Sequence, residues 1–161
     1  MTLHKLALSA AAVAALMAAP AMAQDVASSI DELQGDPAAG GEIFNSQCVS
    51  CHVVVSPDGE TIAGRNARTG PNQWAIAGRT AGTVEDFRGY SRSMEEAGEA
   101  GLSWTEETFV AYVQDPTGFL REFLDNRRAR GKMSYRVRDE QEAYDLYAYL
   151  YSLAPPAEGD S

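Results

Sequence analysis

The sequence predicts an all-α domain, about five short helices with long loops gathered around one large apolar group. Three observations point there. Apolar residues recur at helical spacing in several stretches, most of them opened by an Asp, Ser or Pro start signal. No stretch alternates convincingly enough for a strand. Loops rich in Gly, Pro, Asn and Thr also fill so much of the chain that short helices alone bury too little apolar area to offset their entropy. A large apolar cofactor in the centre resolves that shortfall.

The elements follow in order. Residues 1–23 have the layout of a secretory signal peptide. His4 and Lys5 give a positive start, residues 6–19 an apolar run, and Ala21-Met22-Ala23 a cleavage signal. The run is shorter than the roughly 20 residues a membrane span needs, so cleavage after Ala23 and export to the periplasm are expected. Residues 24–35 read as a flexible lead, 36–154 as the folded domain and 155–161 as an acidic tail. Asp36-Pro37 opens the first helix, which runs into Cys48. Residues 53–82 read as loop with a turn at Pro57-Asp58-Gly59, and residues 91–99 as a short helix. Ser103-Trp104-Thr105-Glu106 has a capping-box pattern. Asp115-Pro116 ends that helix and starts another carrying Phe119, Leu120, Phe123 and Leu124. Asp139 caps a final helix, which ends before Pro155-Pro156.

The chemistry centres on Cys48-Val49-Ser50-Cys51-His52, the C-x-x-C-H spacing of covalent haem attachment. Two thiols at this spacing add to the two vinyl groups, and the adjacent His52 is carried beneath the ring to bind iron. A thioredoxin-like reading needs a βαβ pattern, which is missing. A structural zinc site needs a fourth ligand and a second cluster, also missing.

Removal of the leader leaves His52 as the only histidine, and Met94 and Met133 as the only methionines. Bis-histidine ligation within the mature chain is therefore excluded. Met94 lies among acidic residues soon after the motif. Met133 lies in a loop just before the last helix, where it can fold over the face opposite His52. Met133 is the expected sixth ligand, with Lys132, whose neutral amine binds iron at high pH, as the alternative. His/Met ligation raises the potential and closes the iron to substrates, which indicates electron transfer. A peroxidase-like haem enzyme or a haem-based ligand sensor would need an open or displaceable position.

The chain resembles the bacterial cytochrome c2 group of class I c-type cytochromes, relatives of mitochondrial cytochrome c. The likeness runs over residues 35–154. It is carried by Gly35-Asp36-Pro37, the 48–52 motif, Thr69-Gly70-Pro71-Asn72, Gly78-Arg79-Thr80-Ala81-Gly82 and residues 104–107, 112–116, 131–135 and 145–150. The resemblance implies the class I cytochrome c fold around one covalently bound haem c, in a monomer. It implies that the Pro71 carbonyl accepts from His52. It places Arg79, Trp104 and Tyr90 around a haem propionate, Tyr112 near the Met133 sulfur, and Tyr135 over the haem edge. The first helix should cross the last, with Gly40 and Phe44 on Leu146 and Tyr149. The implied donor is the cytochrome bc1 complex. The implied acceptor is a photosynthetic reaction centre, a terminal oxidase, or both. Residues 53–64 are longer than in the mitochondrial proteins and receive no role.

The mature chain carries twelve basic against 23 acidic residues, a net −11, because Lys5 leaves with the leader. Such acidity argues against nucleic-acid binding. Seven of the twelve basic residues flank Met133: Arg121, Arg127, Arg128, Arg130, Lys132, Arg136 and Arg138. Relatives use lysines around the haem edge. Here arginine takes their place, in an expected docking patch for the redox partner.

Overall fold

The structure, a computed structural model, describes residues 26–156. The signal peptide, its cleavage site and the end of the acidic tail lie outside the described residues. Five α-helices carry the fold: α1 Pro37–Ile43, α2 Arg92–Glu99, α3 Glu106–Gln114, α4 Pro116–Phe123 and α5 Glu140–Leu153.

The start signals explain the boundaries. Asp36 caps α1 through Ala38 N, with Pro37 in the first turn, where a missing N–H costs nothing. Asp115 caps α4 through Gly118 N at 3.1 Å, again followed by Pro. Asp139 caps α5 through Glu142 N at 3.1 Å. Ser91 caps α2 through Met94 N at 3.2 Å.

The capping box of α3 differs from expectation by two residues. Thr105 is the N-cap and Thr108 the reciprocal partner. Ser103 stays extended because it pairs with Thr80 in an isolated antiparallel bridge, and its carbonyl accepts from the Thr108 hydroxyl at 2.6 Å. The helix can begin only after that bridge.

The loop after the motif also departs from expectation. A two-stranded antiparallel hairpin, β1 Val54–Val55 and β2 Thr61–Ala63, stands where only coil was read. Its register is broken between Val54 and Val55, so no clean alternation appears in the sequence. Residues 26–35, read as a flexible lead, are tied to the helices. Gln34 N donates to Glu106, Asp36 N to Asp145 at 2.8 Å, and the Tyr151 hydroxyl to Ala27 O at 3.0 Å.

The helices α1 and α5 cross closely. A Cβ on Gly40 would overlap the Asp145 carbonyl oxygen and press on Tyr149 Cβ, so only glycine permits this approach. Phe44 packs on Tyr149 with ring centroids 5.7 Å apart. The nearest atoms to Gly40 belong to Asp145 and Tyr149, and Phe44 and Leu146 share the same core cluster and line the central cleft. Helix α1 passes into a π-helical turn, Phe44–Cys48. Such turns are rare and recur at functional sites. This one delivers Cys48 and the start of the motif directly from the helix crossing.

Tyr147 is fully buried on α5, and its hydroxyl donates to Trp104 O at 3.0 Å. Trp104 O also accepts from Gly78 N at 2.9 Å, so it keeps a partner if Tyr147 is truncated. Tyr147→Phe is therefore expected to cost only about 1 kcal/mol, read as a lowered melting temperature of the haem-loaded protein. An unchanged melt would mean that the bond contributes nothing.

Candidate functional site

A cleft of about 240 Å³ opens at the centre of the molecule. Its walls come from chain segments far apart in sequence. Residues of the 48–52 motif, the 69–73 loop, the 132–135 loop, α3 and α5 all contribute to its lining. Most of the exposed wall is apolar, from Phe44, Ile76, Phe109, Val113, Leu146 and Leu150 among others. Well-packed interiors hold few voids larger than a water. A cleft this large and apolar has the character of a cofactor site.

Cys48 and Cys51 both line it, and neither is in a disulfide. Burial, then the neighbouring Cys51, pushes the Cys48 thiol up to about 11, so it rests as the neutral thiol at neutral pH. The motif backbone turns tightly, with His52 N and Cys51 N both donating to Cys48 O, at 2.9 and 3.1 Å.

His52 is held from behind. Its Nδ1 lies 3.0 Å from Pro71 O. A carbonyl oxygen can only accept, so Nδ1 carries the proton and Nε2 keeps its lone pair. Burial lowers the proton affinity of the ring, partly offset by the Pro71 bond, so the imidazole is neutral and able to ligate. Gly70 packs against the ring: a Cβ there would overlap His52. The loop is itself braced. The Asn72 amide pairs with Val55 N and O at 3.0 and 2.8 Å. Arg79 donates to Trp74 O at 2.6 Å and to Asn72 O at 3.2 Å.

The residues expected around the group all line the cleft: Pro71, Arg79, Tyr90, Trp104, Tyr112, Met133 and Tyr135. Arg79 is also committed to loop carbonyls, although a guanidinium carries more donors than those two bonds use. Trp104 and Tyr112 rings lie 5.0 Å apart, and burial pushes the Tyr112 hydroxyl well above its ordinary range. Tyr135 is 44% exposed at the rim. Its hydroxyl donates to Gln47 Oε1, which links the two lips of the cleft.

Both candidate methionines reach the cleft, which the sequence did not suggest for Met94. Met94 is 5% exposed on α2; its acidic neighbours face out while it faces the core. Met133 is half-buried in irregular chain. Lys132, the alternative ligand, also lines the cleft, and its Nζ donates to Tyr90 O at 2.8 Å.

The basic segment is more nuanced than its sequence. Arg136 pairs with Asp115 at 2.8 Å, and Arg121 turns back to Ala129 O at 3.3 Å. Arg127, Arg128, Arg130 and Arg138 are exposed and form no ion pair among the described residues. One buried polar side chain was not anticipated: Gln73, 7% exposed, beside His52. Nothing in its local sequence distinguishes it from a loop glutamine.

These residues fit a covalently held haem. Two thiols sit at the attachment spacing, a neutral imidazole is fixed in the ligating tautomer, and the apolar cleft is also lined by thioethers. No group of three or more His, Cys, Asp or Glu among the described residues could hold a bare metal ion.

No family model matches the chain. A cytochrome c2 of Cereibacter sphaeroides is 51% identical over 144 residues, 89% of this chain and 92% of the relative. A cytochrome c2 of Rhodovulum adriaticum is 58% identical over 122 residues, 76% of this chain and 95% of the relative. The solved structure of cytochrome c2 from Rhodobacter sphaeroides superposes with a TM-score of 0.74 at 52% identity, over 76% of this chain and all of that one.

Proposed function

The chain belongs to the cytochrome c2 family, with the class I cytochrome c fold, and from that premise we propose that it is a periplasmic shuttle between two membrane complexes. It is an electron carrier and not an enzyme, and its cofactor is one covalently attached haem c. The haem supplies the one-electron couple. The finer assignments are as follows. Cys48 and Cys51 hold the group, and His52 and Met133 are the axial ligands. The observation that carries this reading is the single apolar cleft that Cys48, Cys51, His52 and Met133 all line.

Each residue then has a physical task. Pro71 fixes the tautomer of His52 and strengthens it as a donor. Arg79, Tyr90 and Trp104 supply the polar end of the cleft, where propionates would lie. Tyr112 would place its hydroxyl near the Met133 sulfur. Tyr135 and Gln47 close the rim and keep water from the ring, which favours a closed iron over substrate chemistry. No described helix is long and apolar enough to cross a membrane.

The cytochrome bc1 complex is the proposed donor, and a photosynthetic reaction centre, a terminal oxidase, or both the acceptor. The docking face is the segment 121–138. Arg121, Arg127, Arg128, Arg130, Lys132 and Arg138 form no ion pair among the described residues, while Arg136 pairs with Asp115 at 2.8 Å. Exposed charge raises the encounter rate and is screened within about 10 Å at 0.1 M salt. Stopped-flow oxidation of the reduced protein by each acceptor should slow as salt rises. Charge reversal at Arg128 and Arg130 should slow it roughly tenfold at low salt and little at high salt. A rate indifferent to both would remove the docking face.

A further inference from the structure

Gln73 is almost fully buried behind the proposed axial histidine. Its Nε2 lies 3.0 Å from Pro71 O and 2.9 Å from His52 Nδ1, and Nδ1 lies 3.0 Å from the same Pro71 O. The carbonyl oxygen only accepts, so both nitrogens point hydrogens at it. With Nδ1 protonated, the Gln73 amide donates to Pro71 O and not to Nδ1. The 2.9 Å approach of the two nitrogens is then no hydrogen bond. It is the meeting of two donors on one acceptor.

We propose that Gln73 sets the haem potential upward by sharing the Pro71 carbonyl with His52. The inference rests on His52 being the axial ligand. A strong bond from Nδ1–H to a carbonyl gives the imidazole partial anionic character, which favours the more positive, oxidised iron. A carbonyl that already serves an amide is a poorer acceptor for Nδ1–H. The positive end of the Gln73 N–H dipole also sits beside the ring, and that field favours the state with one less positive charge. Both effects favour the reduced form. The loop cannot turn away to relieve the crowding. The Asn72 amide is fastened to Val55, and Arg79 is fastened to Asn72 O and Trp74 O. Gln73 touches no reacting atom; it is a positioning residue that acts through His52.

The test is a redox titration of the haem-loaded protein and of Gln73→Met and Gln73→Leu. Methionine keeps the length of the side chain and loses its donors. At an ambient potential fixed at the wild-type midpoint, the reduced-to-oxidised ratio should fall about threefold in both variants. That corresponds to about 28 mV at 59 mV per tenfold for a one-electron couple. The His52 Nδ1–H proton resonance of the reduced protein should move downfield as its bond to Pro71 tightens. The thioether–iron band should persist, because Met133 is untouched. A ratio that stays constant or rises in both variants, with that band intact, overturns the role of Gln73 alone. A wild-type protein without a low-spin His-ligated spectrum overturns the reading of the site beneath it. Should neither variant fold, hydrogen exchange in the wild type decides. The Gln73 side-chain amide should be protected from solvent, and rapid exchange would overturn the proposal.

Discussion

Met133→Ala abolishes the weak near-infrared thioether–iron band of the oxidised protein and lowers its reduction potential. Axial ligands set haem potentials over roughly 0.8 V, and a thioether holds the upper part of that range because it favours the reduced iron. Loss of this one contact is therefore expected to have a large functional effect. Two methionines line the cleft, so the experiment needs Met94→Ala beside it. Met94 is buried on α2, and its removal should cost about 2–5 kcal/mol of stability as a core truncation while the band survives. Met133 is half-buried in irregular chain, so its truncation should cost less stability and remove the band. The opposite pattern would reassign the ligand to Met94. Persistence of the band in both variants would exclude either as the ligand.

Gly40→Ala is expected to lower stability by about 2–3 kcal/mol, although alanine is the better helix former by roughly 1 kcal/mol. The obstacle decides the sign. A Cβ at Gly40 meets the Asp145 carbonyl, a backbone atom of α5 that cannot rotate aside. The neighbouring Gly41→Ala is the control. There a Cβ meets only the ring of Tyr149, at 3.2 and 3.3 Å, which can shift by a few tenths of an ångström. Thermal melts of the haem-loaded proteins should place Gly40→Ala well below the wild type and Gly41→Ala near it. Equal melting temperatures for the two variants would show that the α1–α5 crossing tolerates separation.

The elements legible in the sequence were those with a chemical start signal. Asp36, Asp115 and Asp139 each name a helix by the bond the Asp side chain makes, and the first two also by the N–H that the following Pro lacks. The attachment motif was legible because its chemistry is local. What failed depended on partners distant in sequence. Ser103 resembles a cap until its bridge to Thr80 is known. The hairpin strands are too short and too irregular in register to show a period. Met94 reads as a residue of a polar helix, yet the single face it occupies is the one turned inward. Gln73 was invisible for a related reason: its burial comes from packing behind His52, and glutamine in a loop ordinarily signals solvent.

Asn72 has a consequence for how this molecule can vary. Its amide makes with Val55 the two bonds that a neighbouring strand would make, at 2.8 and 3.0 Å. The first strand of the hairpin is thus clamped at Val55, while its tip at Pro57, Asp58 and Gly59 is exposed and contributes nothing to the cleft. Lengthening a loop tip costs little in closure entropy, about 0.6 kcal/mol per doubling. The clamp insulates the Pro71 carbonyl from such changes. This hairpin can therefore be recut by insertion or deletion while the electronic environment of His52 stays constant, so that surface identity and redox character are free to evolve separately.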